Sequence, residues 1–484
     1  MKLKNEGFKF KKIIAASISF IGLTATFNIA QAYNIDWKGS YRAEFVEIDK
    51  PTLTSGSRKS FLLNHLTLSP KIIASDGVNI VSSFEVFNNA NFAASKVGTV
   101  WGSGVNTTPG TAGTNSQNSN TISNQQPVGD IQISQLYLNV NEEYGSLILG
   151  RAPVHFGLGV THNSGTSPFA HWYETRDTVG YKFLIGNLFI MPSISKVYHS
   201  DFTQGEDITD ETIHFEYNNL ETGNLLGLFY ETRKSNFGSN DTPTATTTLN
   251  GTKEAPFSRT SYNIIFGKTY EDFDFKLEGA FQSGSTGLRL AGEDVRLNGF
   301  ALITEFNFKN GTDSSWNIKV GNVSGDNPNT ANYEGYITNR NYDVAFLMFN
   351  YPMGQVDVLK SGLGRDTTKA QSKTIDEDGI SNALFFAPTY SKKLNTNWTM
   401  LNTIAWAKLN NADIRPTVSS PVETINSQLG YEWDLTFVYK PHENIEWKNV
   451  AAFMFPGDAY KAGTMNLKKS STVIGLQSTA AISF

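Results

Sequence analysis

Tyr431-Glu432-Trp433-Asp434-Leu435-Thr436-Phe437-Val438-Tyr439-Lys440 places aromatic and aliphatic side chains at alternate positions, with mostly charged and small polar ones between them. Successive side chains of a strand point to opposite faces, so a strand over this stretch is greasy on one side and wet on the other. Phe273, Phe275, Leu277, Gly279 and Phe281 alternate in the same way with Asp274, Lys276, Glu278, Ala280 and Gln282. Ile35, Trp37, Gly39, Tyr41, Ala43 and Phe45 do so against Asp36, Lys38, Ser40, Arg42 and Glu44. Soluble strands average about 5 or 6 residues, whereas crossing a bilayer takes about 9 to 11. These segments have the longer length.

Eighteen such segments follow one another, starting near Asn34, Ser60, Val78, Asp130, Ser146, Asp177, Leu188, Ile208, Gly223, Ser258, Asp272, Arg296, Asp313, Ser381, Thr396, Gln428, Asn444 and Lys468. Short connections fall at every second junction, among them Ser75-Asp76-Gly77, Glu143-Tyr144-Gly145 and Ile185-Gly186-Asn187. The other junctions are long, the largest being 90–129, 157–176, 236–257, 325–380 and 410–427. Backbone groups in hydrocarbon must be paired within the protein, so such a sheet survives only by closing on itself. The expected fold is all-β, a single closed antiparallel transmembrane β-barrel of about 18 strands with long extracellular loops and short periplasmic turns. It occupies residues 33–484.

Residues 1–32 have the layout of a secretory signal peptide: Lys2, Lys4, Lys9, Lys11 and Lys12, then an apolar stretch, then Ala30-Gln31-Ala32 as the cleavage site. The final Phe484, with Ile474, Leu476, Ala480 and Ile482 before it, is similar to the strand signal read by the barrel-assembly machinery of Gram-negative bacteria. The expected address is the bacterial outer membrane. The expected partners are outer-membrane lipid and lipopolysaccharide, periplasmic chaperones, the assembly machinery and small hydrophilic solutes, with homo-oligomerisation left open. Later windows contain no unbroken apolar run long enough for a spanning helix, which excludes an α-helical membrane protein. The chain has no cysteine, so no disulfide supports it. Its net charge of −5 includes a leader with five Lys and one Glu, so the remainder is more acidic still and a poor nucleic-acid partner.

Barrels of about 8 strands are filled by their own side chains, whereas 16 to 18 leave an aqueous lumen unless something plugs it. Strand parity points Arg42, Glu44, Glu216, Lys276, Glu278, Glu305, Lys319, Glu432 and Asp434 into that lumen, as a polar face of mixed sign. Trp37, Trp172, Trp316, Trp398, Trp406, Trp433 and Trp447 fall near segment ends, where aromatic girdles sit at lipid headgroups. Within 325–380, the run Tyr342-Asp343-Val344-Ala345-Phe346-Leu347-Met348-Phe349 is too apolar for an open loop. It is expected to fold inward and constrict the pore, or to pack on a neighbouring loop.

Leu429-Gly430-Tyr431-Glu432-Trp433-Asp434-Leu435-Thr436, followed by Tyr439-Lys440-Pro441 and Phe455-Pro456-Gly457-Asp458-Ala459, resembles the penultimate hairpin of the alginate-export family of outer-membrane proteins. Leu149-Gly150-Arg151 with Phe156-Gly157 is similar to a strand end of that family. The resemblance implies an 18-stranded barrel whose pore arginines guide a polyuronate, with Arg151 as a lumen arginine. The acidic lumen residues dilute such an anion-selective field. A general diffusion pore therefore ranks above export of an acidic polysaccharide, and both rank above a surface adhesin or a hydrolase.

His162-Asn163-Ser164-Gly165 is superficially similar to the His-x-Ser arrangement of outer-membrane phospholipase. His155, His162 and His171, spaced 7 and 9 apart, do not form a metal motif. No enzyme activity, cofactor or metal is expected.

Overall fold

The computed structural model describes residues 34–88, 99–100, 130–199, 207–235, 257–290, 293–351, 353–354, 359, 379–414, 421–461 and 471–484. The leader, most of 90–129, most of 236–257 and the acidic run Asp376-Glu377-Asp378 lie outside them.

Eighteen long antiparallel strands form the barrel among the described residues. They are β1 (Asn34–Asp49), β2 (Arg58–Ser75), β3 (Val78–Asn88), β4 (Asp130–Glu142), β5 (Gly145–Pro153), β6 (Thr175–Ile185), β7 (Leu188–His199), β8 (Asp207–Asn219) and β9 (Asn224–Ser235). The series continues with β10 (Phe257–Thr269), β11 (Phe273–Leu290), β12 (Glu293–Asn310), β13 (Ser314–Val323), β14 (Ala383–Lys393), β15 (Trp398–Leu409), β16 (Gln428–His442), β17 (Ile445–Pro456) and β18 (Val473–Ser483). Each strand pairs with its sequence neighbours. The two-residue strand Thr99–Val100 adds to β2 at Leu63 and Asn64.

β1 and β18 close the ring from Ser40↔Ser483 to Asp49↔Ile474. Closure removes the free edges that would otherwise expose unpaired amides. The seam is finished by the chain end: Gly39 N donates to Phe484 O at 2.8 Å and Phe484 N to Gly39 O at 3.0 Å. A Cβ on Gly39 would lie 2.6 Å from the Phe484 ring, so glycine makes room for the terminal aromatic. Both described ends lie on one rim together with the turns at Gly77, Gly186 and Gly311, while β11 and β12 are joined by a short connection at the other rim. At Gly77 the turn runs through φ +76, a left-handed conformation that costs glycine little.

The outer face carries the apolar residues of the alternation. Trp37, Phe45, Val179, Ile194, Ile213, Phe266, Phe281, Ile404, Trp433 and Leu476 are all exposed in the isolated chain. A continuous band of this kind suits hydrocarbon rather than water. Towards the short-turn rim it ends in aromatic pairs across neighbouring strands. Ring centroids lie 4.7 Å apart for Phe273 and Phe308, 5.0 Å for Trp316 and Tyr390, and 4.8 Å for Trp398 and Tyr439. Trp172 is no part of a girdle, because it sits buried in an inward-folded loop.

The hydrophobic core lies inside the barrel. Ala301, Ile303, Val323, Ala383, Phe385, Ala387, Ala405 and Ala407 line the inner face of β12 to β15 and are buried against residues 342–349. Small and aliphatic side chains on this sector make room for residues 342–349, between β13 and β14, which lie inside the barrel.

Candidate functional site

Two loops from the long-loop rim enter the barrel, and wall carboxylates hold both by their backbone amides. The first is 154–174, between β5 and β6. Glu278 on β11, fully buried, accepts from Leu158 N at 2.6 Å, Thr161 N at 3.1 Å and Thr161 Oγ1 at 3.0 Å. Gly157 turns at φ +56, and a Cβ there would meet Glu278 Oε2 at 2.6 Å. The turn and the approach of the carboxylate both require glycine. On the opposite side Arg42 Nη1 donates to Pro168 O at 3.1 Å and Ala170 O at 2.8 Å, while His171 Nε2 pairs with Glu44 at 2.8 Å.

The second loop lies between β13 and β14 and is described over 324–351, 353–354, 359 and 379–382. Glu432 accepts from Leu347 N and Met348 N, each at 2.6 Å, and Asp434 accepts from Phe346 N at 2.9 Å. Tyr342 donates its hydroxyl to Glu305 at 2.8 Å, and Lys319 donates to Asp343 O at 2.7 Å. Burial, followed by the adjoining Glu305, holds the Tyr342 phenol well above its usual range, so it remains a donor. The loops also join each other. Asn341 exchanges hydrogen bonds with the Trp172 backbone at 2.7 and 3.1 Å, Asn339 N donates to Val160 O at 2.7 Å, and the Arg340 guanidinium lies 4.2 Å from the Trp172 ring centre.

A buried ionic cluster flanks the first loop. Arg176 Nη1 on β6 lies 2.8 Å from Asp210 on β8 and 2.7 Å from Glu231 on β9, and its Nη2 donates to Glu174 at 2.9 Å. Arg233 binds Asp210 through two hydrogen bonds at 2.8 and 2.9 Å, and Arg259 donates to Glu231 at 2.7 Å. His162 Nδ1 sits 2.8 Å from Glu174. Three guanidiniums thus meet three carboxylates, and the interior charge is largely cancelled pair by pair.

Burial alone would raise the Glu174 carboxyl, but His162 and then Arg176 outweigh it and hold the group down at about 2. A depressed carboxylate contributes stability that is complete above its unfolded value, about 4.3, and is lost as pH falls through about 2. We expect residues 154–174 to remain docked between pH 7 and pH 5, with unchanged protease resistance. Cleavage appearing near pH 5 would contradict this.

The inward parity places Arg42, Glu44, Glu216, Lys276, Glu278, Glu305, Lys319, Glu432 and Asp434 on the inner wall, but their surroundings differ from the open solvated face expected of them. Arg42, Glu44, Glu278, Glu432 and Asp434 are buried under the two loops, where they act as anchors. Glu216, Lys276, Glu305 and Lys319 are half-buried. Glu216 lies 3.6 Å from His214, and Lys319 lies 3.6 Å from Glu305.

Arg151 is a correction. It pairs across the sheet with Leu136 and Asp177 and shares its face with exposed Leu149, so it points outward. There it binds Asp177 at 2.8 and 2.9 Å with both side chains about half exposed. Exposed pairs contribute about 0–1 kcal/mol. Arg151→Gln should therefore shift unfolding in urea by less than about 1 kcal/mol and leave ion selectivity unchanged; a reversal of selectivity would return it to the lumen.

Sequence reading missed Arg176, Asp210, Glu231, Arg233 and Arg259. Parity alone would have turned them inward, but their mutual contacts depend on how β6, β8, β9 and β10 align. The His162 and Ser164 pair is not arranged for nucleophilic attack. His162 faces Glu174 and Glu231, and the Ser164 hydroxyl bonds Thr166 at 3.3 Å.

No protein-family model matches the chain, and no curated protein matches it. Among solved structures it superposes on Pseudomonas aeruginosa OccK9 (OpdG) with a TM-score of 0.51 and 10% identity, over 93% of this chain and 98% of that one. It superposes on a BenF-like porin from Pseudomonas fluorescens Pf-5 with a TM-score of 0.50 and 10% identity, over 93% and 98% of the two chains. At this identity the likeness is one of fold.

Proposed function

We propose that the chain is an outer-membrane porin through which small hydrophilic solutes and ions diffuse passively. The observation that carries this is the closed 18-strand wall with an apolar outer face and a charged inner one, narrowed from one rim by two loops tied to wall carboxylates. A wall of this size encloses water unless it is plugged, and here the narrowing elements are loops of the barrel itself. The barrel fold shared with a BenF-like porin supports the same reading. Export through the periplasm with cleavage near Ala32, and assembly through the Phe484 strand, belong to it.

Export of an acidic polysaccharide is the weaker reading. A polyuronate path needs cations facing the passage, whereas Arg42, Arg176, Arg233 and Arg259 each lie beside a carboxylate. Liposomes holding the refolded chain should swell in isotonic solutions of small sugars, at rates that fall as the sugar grows. Absence of swelling with a correctly folded barrel would contradict a diffusion pore.

A further inference from the structure

We infer that the inner wall of β1 to β4, beneath a lid formed by residues 164–170, carries a binding subsite for a short neutral polyol of glycerol to erythritol size. This deepens the porin reading of the preceding section and rests on it.

Between the first inward loop and the wall lies a cavity of about 100 Å³. Water takes about 30 Å³ a molecule in the liquid, so the space suits about three waters or one short polyol. Seven Ser and Thr hydroxyls line it among the described residues, four from the wall and three from the loop. Thr67 and Ser69 belong to the wall set and sit near the middle of β2, which places the cavity at mid-height of the barrel. Thr166 and Ser167 are the exposed members of the lining and mark its mouth.

The lid is pinned before any solute arrives. Arg42 holds the Pro168 and Ala170 carbonyls. Gly165 turns at φ +70 and donates its amide to Asn163 Oδ1 at 3.0 Å, and a Cβ there would collide with the Trp172 carbonyl. Tyr173, held through its hydroxyl at Gln132 Oε1, contributes an aromatic ring to the lining. A preformed pocket spares the solute the entropy of ordering the loop.

The charged groups are already satisfied. Glu85 pairs with His65 Nε2 at 2.6 Å and accepts from Ser134 at 2.7 Å and Thr67 at 2.9 Å. No Lys or Arg lines the cavity among the described residues. A carboxylate solute would therefore meet no counter-charge, and an ammonium would have to break the set around Glu85. The capacity left is uncharged: Ser40 and Gln135 line the cavity, and neither side chain bonds another described residue. An amide offers two donors and an acceptor oxygen, and a hydroxyl both donates and accepts. A run of adjacent solute hydroxyls is the complement of such a lining.

The test is saturation-transfer NMR of the refolded full barrel titrated with erythritol, with butanediol and erythronate as hydroxyl-poor and charged counterparts. Erythritol should give a saturable signal. Both counterparts should bind at least about tenfold more weakly, because one leaves lining groups unpaired and the other brings an unmatched charge. Gln135→Leu and Ser69→Val should each weaken erythritol roughly threefold to tenfold. Thr166→Val, on the exposed lid away from the strand ladders, should do the same without touching the wall. No saturable erythritol signal would mean that the cavity holds water alone and would overturn the site. So would equal binding of erythritol and butanediol, tighter binding of erythronate, which would assign the cavity to anionic solutes, or three variants that bind as wild type does. Liposome swelling on the same preparations separates the two proposals. Saturable erythritol binding by a barrel that passes no solute would sink the pore reading and leave the site standing, while a permeable barrel indifferent to erythritol would do the reverse.

Discussion

Glu432→Ala combined with Asp434→Ala should raise single-channel conductance severalfold and expose residues 342–348 to protease. The two wall carboxylates accept three amides of that segment, from Phe346, Leu347 and Met348, in a fully buried setting. Leaving a buried donor without a partner costs about 1–3 kcal/mol, so three such losses total about 3–9 kcal/mol, enough to undock a loop segment. The paired amide variant, Glu432→Gln with Asp434→Asn, retains acceptor oxygens and should fall between wild type and the alanine pair. An independent route reaches the same end. A Cβ on Gly475 would stand 2.7 Å from Leu347 and Phe346, so Gly475→Val should push the segment off the wall with both carboxylates intact. If all of these variants conduct like wild type, the docked loop does not narrow the passage.

Arg176→Met should be the most damaging single change in the barrel interior. It would leave Asp210, Glu231 and Glu174 facing one another with their shared cation removed. Breaking a buried pair by removing one partner costs about 3–5 kcal/mol, and here Arg233 and Arg259 still hold Asp210 and Glu231 while the cluster is left with one carboxylate in excess. Urea unfolding in lipid vesicles, followed by tryptophan fluorescence, should show the loss. Adding Glu174→Gln should recover much of it, because Arg233 still holds Asp210 and Arg259 still holds Glu231, so only Glu174 is left without a guanidinium. A single variant as stable as wild type would mean that water or the neighbouring Arg233 and Arg259 already satisfy the carboxylates.

Much of this architecture can be read directly from the alternation, because a strand with lipid on one side and a polar interior on the other must keep period two along its whole length. The expected starts fall within three residues of the observed ones except the last, expected near Lys468 and seen at Val473. What alternation cannot carry is how a face is covered. Arg42 and Glu44 read as open lumen residues, yet Arg42 is capped by carbonyls 126 and 128 residues away. Glu278 and Glu432 read as solvated charges for the same reason, since an anchor differs from a lumen charge only by the loop that lands on it. Arg151 teaches the converse. Leu147 and Leu149 precede it at alternate positions, so parity turns it outward, and only the motif resemblance placed it inside. Apart from Glu305 and Lys319, which bond Tyr342 and Asp343, the inner face of β12 to β15 beside the run 342–349 is built largely of apolar side chains, where a general pore would be polar.

The most direct test is single-channel recording of the refolded mature chain in a planar bilayer, under a salt gradient and with an oligouronate added. The account predicts discrete openings with weak ion selectivity, unblocked by the oligouronate, and larger openings in the Glu432 and Asp434 alanine pair. A folded barrel that gives no openings would contradict the central claim, and anion-selective openings blocked by the oligouronate would replace it with polysaccharide export.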